Sequence, residues 1–293
     1  MSTLANRDFV KMNGLGNEIV IVDLRRAPNL SAQSQIAADE ARAAARQEPY
    51  DQLMALYPSS DNADASIRIY NSDGSEAGAC GNGMRCVASL VCAETGKAAL
   101  NFETSAGRVS CWRADGGLFT VDMGAPRLRW NEIPLAQEMP DTRAIDLVFR
   151  PAGAPLLRMP SVVNMGNPHA IFWVENPQSF DLREMGPELE HHPLFPERAN
   201  ITLAATPSRD HIVIRTWERG AGLTQACGSA ACAVAVAAAR LDRTGRKVTV
   251  SLPGGDLAIE WRESDDHVLM TGPVEFEHAG RFDAALFADA GAA

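Results

Sequence analysis

Apolar and polar positions along the chain fall into short blocks cut by Gly, Pro, Asn and Asp, with two kinds of apolar run between the cuts. Brief runs rich in β-branched and aromatic residues predict strands at 19–22, 67–70, 109–112, 119–123, 211–217, 248–252 and 257–261. Two longer stretches, 84–94 and 230–241, are small and apolar on every side, which predicts helices enclosed by their own sheets. Gly96 and Gly245 stand where their C-terminal caps are expected. Residues 31–47 are Ala-rich with helical spacing and predict an exposed amphipathic helix. The proline-punctuated stretch 132–160 is expected to carry a crossing between two halves, and 279–293 to form an apolar helix or a loose tail. The class is α/β.

The pattern repeats. Ala79-Cys80-Gly81 matches Ala226-Cys227-Gly228 at an offset of 147 (227 minus 80). The same offset pairs Ile67 with Ile214, Arg68 with Arg215, Tyr70 with Trp217, Gly107 with Gly254, Val121 with Val268 and Pro126 with Pro273. Earlier, Gly16-Asn17 and the apolar run after it match Gly166-Asn167 at an offset of 150 (167 minus 17). So long a register indicates an internal duplication. The expected division is 1–126 and 127–273, with the tail 274–293 packing on the first part and a site in the cleft between them.

At 293 residues the chain has room for two domains, and 46% hydrophobic with 22% charged residues is a globular composition. A net charge of -10 argues against a nucleic-acid partner and favours a small substrate. The longest apolar run, 226–239, is shorter than the roughly 20 residues of a membrane span, so no membrane partner is expected. No basic segment followed by an apolar stretch and a cleavage site opens the sequence, and a cytoplasmic location is the expectation. Six cysteines, at 80, 86, 92, 111, 227 and 232, are then expected to be reduced. Their spacings lack the short Cys-x2-Cys pairs of zinc sites, so no metal is expected.

Cys86, Cys92, Cys111 and Cys232 read as small packing residues. Cys80 and Cys227 differ, because each precedes a predicted helix within a glycine-rich loop. A helix start favours thiolate over thiol, and glycines let backbone amides approach a ligand. Brought together about a pseudo-twofold axis, two such thiols suit epimerisation: one removes an α-proton from one face and the other returns a proton to the opposite face. No lysine-anchored pyridoxal or flavin signature is visible, so no cofactor is expected and oriented amides must stabilise the carbanion.

Four segments resemble the diaminopimelate epimerase family: Lys11-Met12-Asn13-Gly14-Leu15-Gly16-Asn17; Asn71-Ser72-Asp73-Gly74-Ser75-Glu76 leading to Cys80-Gly81-Asn82-Gly83-Met84-Arg85-Cys86; Asn164-Met165-Gly166-Asn167-Pro168-His169; and Glu218-Arg219-Gly220 through Cys227-Gly228-Ser229. The resemblance implies interconversion of LL- and meso-diaminopimelate without pyridoxal phosphate or metal, on the route to lysine and peptidoglycan precursors. It implies two pseudo-symmetric α/β domains, each a mixed sheet or barrel around a central helix, in a homodimer. It makes Cys80 and Cys227 the acid/base pair, with Glu218 and His169 beside the reacting centre. Gly81, Asn82, Gly228 and Ser229 would hold the reacting carboxylate. Asn71, Asn167, Asn200 and the Arg219 guanidinium would read the distant amino-acid end, with Asn17 and Gln52 completing the pocket.

One departure stands out. Arg46-Gln47-Glu48-Pro49-Tyr50 replaces a glycine-rich turn ahead of Asp51-Gln52, which predicts an altered loop and an altered Gln52 contact. Three other readings stay open: a two-cysteine racemase acting on proline or hydroxyproline, a catalytically silent amino-acid-binding protein, and a thiol redox protein. Arg219 and the extra asparagines disfavour the first, since a cyclic imino acid offers them no second amino-acid end.

Overall fold

The computed structural model describes residues 2–31, 33–59, 61–151 and 153–287. They form two compact units, Met1–Val121 with Gly272–Ala293, and Asp122–Thr271. In chain order the first runs β1 (Asp8–Asn13), β2 (Glu18–Asp23), α1 (Ala38–Gln47), β3 (Gln52–Tyr57), β4 (Ala65–Asn71), β5 (Glu76–Ala77), α2 (Gly81–Thr95), β6 (Ala99–Thr104), β7 (Gly107–Arg113) and β8 (Phe119–Asp122). The second runs β9 (Val148–Phe149), β10 (Leu157–Arg158), β11 (Ser161–Asn164), β12 (Pro168–Trp173), α3 (Leu182–Glu190), β13 (Asn200–Ser208), β14 (His211–Glu218), β15 (Gly222–Leu223), α4 (Gly228–Arg240), β16 (Lys247–Leu252), β17 (Gly255–Trp261) and β18 (Val268–Gly272). β19 (Glu275–Arg281) returns to the first unit and pairs with β1.

The duplication read in the sequence is repeated in strand topology. In the first unit β1 and β2 are antiparallel, β2 and β3 parallel across α1, β3 and β4 antiparallel, and β4 and β6 parallel across α2. In the second, β11 to β14 and β16 repeat that order with α3 and α4 as the crossovers. Parallel neighbours need such crossovers, and the second crossover helix in each unit, α2 or α4, is the one that begins after the cysteine. The α/β class and the two-part repeat are therefore as expected.

α4 touches β11, β12, β13, β14, β16 and β17, so its own sheet wraps it. Its sequence, GSAACAVAVAAAR, permits this because small side chains let strands approach from every side. Enlarging one of them, as in Ala233→Leu, would overpack the unit by about 1–3 kcal/mol. α2 ends as expected, with Gly96 left-handed at φ 72. α4 does not end at Gly245: it is capped by Leu241, and Asp242 takes the left-handed turn at φ 53. Aspartate tolerates that conformation, so glycine was not required there.

Three further expectations are corrected. Residues 31–47 do not form one exposed helix; α1 starts only at Ala38, and Ala41, Ala43 and Ala44 enter a core with Leu53, Tyr57 and Phe282. Of the helix or tail expected at 279–293, residues 279–281 instead complete β19 on the free edge of β1, 284–287 form a short 3-10 turn, and 288–293 lie outside the described residues. The stretch 132–160 is no mere crossing: Ile133, Leu135, Ile145, Leu147, Phe149 and Leu157 are buried in the second unit's core with Phe172 and Leu203. No described helix is long and apolar enough to cross a membrane.

Candidate active site

Cys80 is the N-cap of α2, extended at φ -150, and the Gly83 N–H donates to its sulfur at 3.2 Å. Its Sγ lies 3.5 Å from Gln52 Oε1 and 3.7 Å from Asn17 Oδ1. Strand register brings these groups together, since β3 sets Gln52 between Ile19 on β2 and Asn71 on β4. Gln52 Nε2 donates to Asn71 Oδ1 at 3.5 Å, and Asn17 Nδ2 donates to Gln52 Oε1 at 3.1 Å. Gly81 and the buried Asn82 open the helix beside the thiol. Asn17, Gln52, Asn71, Gly81 and Asn82 thus gather around Cys80 within one unit.

Behind the altered loop, Gln52 lies beside Cys80, Asn17 and Asn71. Glu48 caps α1 in an extended conformation, its carboxylate pairs with the buried Lys11 at 3.1 Å, and Pro49 O accepts from the same ammonium. An extended segment needs no positive φ, so proline and glutamate are compatible with it. Asp51, absent from the sequence-based set, accepts from Asn17 Nδ2 and from the Glu18 N–H, both at 2.8 Å. Its position next to Gln52 was the signal available for it.

In the second unit Cys227 is the N-cap of α4, with Gly228 and Ser229 following, and its Sγ lies 3.5 Å from Ser229 Oγ. Only 4% exposed, this thiol is raised well above its ordinary range, first by burial and then by the Glu218 carboxylate. Burial and the Glu218 carboxylate here oppose the thiolate that a helix start favours. Thr224 Oγ1, also missed by sequence reasoning, donates to Glu218 Oε1 at 2.5 Å and sits in the same glycine-rich loop.

Register again does the gathering. His169 on β12 faces Asn200 on β13, and the Ile201–Trp217 pair next to it sets Asn200 level with Glu218. Asn200 donates to Pro168 O at 3.0 Å and accepts from the Arg219 N–H at 2.9 Å, tying both strands to the loop. His169 is fully buried, and burial, then the Arg219 charge, lowers it to about 3. Its Nε2 lies 2.8 Å from Asn167 Oδ1, which places the proton on Nε2 and leaves Nδ1 a buried acceptor without a hydrogen-bond partner among the described residues. The Arg219 guanidinium donates to Glu197 O at 2.9 Å. Glu218, Arg219, His169, Asn167, Asn200, Gly228 and Ser229 thus share the second unit with Cys227.

The remaining cysteines behave as packing residues. All four are buried, and burial pushes Cys86 up to about 12 and also raises Cys92.

A sequence model of the diaminopimelate epimerase family matches residues 9–129 and 161–277, one segment for each copy of the duplicated pattern. The chain belongs to the diaminopimelate epimerase family. Among similar relatives, a diaminopimelate epimerase of Rhodopseudomonas palustris (strain BisB18) is 62% identical over 291 residues, covering 99% of both chains. One of Nitrobacter hamburgensis is 63% identical over 292 residues, covering 98% of this chain and 99% of its own. Among solved structures, a hydroxyproline epimerase of Agrobacterium vitis with bound trans-4-hydroxy-L-proline superposes with a TM-score of 0.63 over 96% of this chain and 93% of its own. At 14% identity that likeness is one of fold. The stretch that the diaminopimelate epimerase model leaves between its two segments, 130–160, holds β9 and β10 and the buried residues that extend the second unit's core.

Proposed function

We propose that this chain is a cofactor-independent isomerase interconverting LL-2,6-diaminopimelate and meso-diaminopimelate, and that it works as a cytoplasmic homodimer. The observation that carries the reading is identity above 60% to diaminopimelate epimerases along essentially the whole chain, with both helix-start cysteines present. In this reading the two sulfurs act on opposite faces of one α-carbon. The base, as thiolate, takes the α-proton; the carbon keeps the electron pair, and the opposite S–H delivers a proton to the other face. The centre inverts and the sulfurs exchange roles. The burial and neighbouring carboxylate that keep Cys227 protonated suit it to donate, which assigns the base to Cys80 in that direction.

The carbanion needs charge stabilisation. We assign it to the amides of Gly81, Asn82, Gly228 and Ser229, which open two helices and are oriented before reaction. Glu218 takes the reacting amine, and His169, neutral at physiological pH, lends the bare Nδ1 as an acceptor rather than a charge. Asn71, Asn167, Asn200 and the planar guanidinium of Arg219 read the distant amino-acid end, and Asn17 and Gln52, which lie against the Cys80 sulfur, complete the pocket.

The test is solvent deuterium. Diaminopimelate incubated with the protein in D2O should gain deuterium at one α-carbon as its isomers equilibrate, and both signals should vanish in Cys80→Ser and in Cys227→Ser. Turnover of proline or hydroxyproline in place of diaminopimelate would overturn the substrate assignment, and binding without exchange would overturn catalysis. Sedimentation at assay concentration checks the dimer.

A further inference from the structure

Glu190, the last residue of α3, is 3% exposed, and a buried carboxylate must be satisfied or it destabilises the fold. Three donors meet it. The Trp217 indole N–H donates to Oε2 at 2.7 Å, and the Gly220 backbone N–H donates to Oε1 at 3.0 Å. The Arg198 guanidinium lies 3.3 Å from the same Oε1. Two of these donors bracket Glu218 and Arg219 in the sequence, so one carboxylate clasps both ends of the segment that carries them.

The indole is held on its other side as well. α3 passes so close to Trp217 that a Cβ on Gly186 would overlap the ring, which only glycine avoids. Gly220 itself is left-handed at φ 77, turning the chain back toward β15. The Glu218–Arg219 segment is thus defined by Trp217 before it and the Gly220 amide after it, and both bonds end on Glu190.

We propose that Glu190 is a positioning residue for substrate recognition, acting through this clasp to fix Glu218 and Arg219, without touching substrate. The proposal rests on the reading of those two residues as substrate ligands. A carboxylate accepts at both oxygens, whereas an amide can accept at only one. Glu190→Gln therefore sets an N–H against either the indole or the Gly220 amide and loosens one end of the segment.

Two readouts separate this role from a general structural one. Glu190→Gln should raise KM for diaminopimelate by about 10-fold or more, with kcat within about 3-fold, as expected when a loss of about 1.4 kcal/mol falls on binding. Backbone amide exchange of the peptide spanning 218–221 should accelerate while α4 keeps its protection. Arg198→Met should move both readouts in the same direction and less, since Arg198 is half exposed and its loss leaves the other two bonds intact. This variant also carries the test if Glu190→Gln does not fold. Unchanged KM and unchanged exchange at 218–221 in a folded variant would overturn the proposal, as would a loss of stability with unchanged KM. If the unaltered protein does not turn over diaminopimelate, the functional reading fails instead; amide exchange at 218–221 still reports on the clasp.

Discussion

Cys80 and Cys227 occupy the same place in two copies of one topology, each capping the helix that links parallel strands, yet their surroundings differ in charge and water. Cys80 is partly exposed and meets neutral amide groups of Gln52 and Asn17. Cys227 is buried beside the carboxylate of Glu218. At the duplication's offset, Asn71 stands where Glu218 stands in the second unit, and Ile19 where His169 stands. Duplication preserved the backbone position of the sulfur and left its electrostatics free to diverge. Under the proposed mechanism, two thiols alternating as acid and base gain from unequal starting states, since a matched pair would leave neither form favoured at either position.

The comparison breaks first at catalysis. Removing either sulfur, in Cys80→Ala or Cys227→Ala, should lower turnover by about 10³-fold, the scale of lost general acid–base catalysis. A variant that retained near-normal turnover would remove that cysteine from the reaction, and isomer equilibration followed by chromatography decides it.

The next effect belongs to His169. Its folded value of about 3 lies below its ordinary 6.5, so the unfolded chain binds the proton first. Stability is then full above about 6.5 and is lost as pH falls toward 3, amounting to about 3 kcal/mol at pH 4. Urea unfolding at pH 7 and pH 4 should show this loss shrinking in His169→Gln. An equal loss in the variant would mean that other groups cause it.

Accessibility and charge together should make Cys80 react with iodoacetamide at least about 10-fold faster than Cys227 at pH 8, read by peptide mass spectrometry. Equal rates would deny the asymmetry. The smallest effect sharpens its cause: Glu218→Gln removes the second contribution to the raised Cys227 value but leaves burial, so Cys227 alkylation should speed up by only about 3-fold. A change as large as the whole difference between the cysteines would make charge, not burial, the dominant cause.

Much of this was legible beforehand because the signals are local. The Cys-Gly steps announced both helix starts, and the repeated offset announced two units before any strand was paired. The candidate residues separate into the two sets that strand register gathers, Gln52 between Asn17 and Asn71 in one and Asn200 beside His169 and Glu218 in the other. What misled was context. Residues 279–281, expected to open a helix or loose tail, instead complete a strand because β1 offered an edge. Gly245 looked like a cap, but Asp242 turned the chain first. The extended Glu48-Pro49 segment ahead of Gln52 is held by Lys11, 37 positions from Glu48, a contact that no local pattern announces.

The sequence alone determined the duplication, the α/β class, the helix-start cysteines and the residues around each, because periodicity, capping and turn chemistry act over a few residues. Tertiary structure alone decided that Cys227 rests as a thiol, that His169 stays neutral, and that Glu190 clasps the segment bearing Glu218 and Arg219. Those outcomes depend on burial and on charges brought from distant parts of the chain, and no local pattern encodes a dielectric.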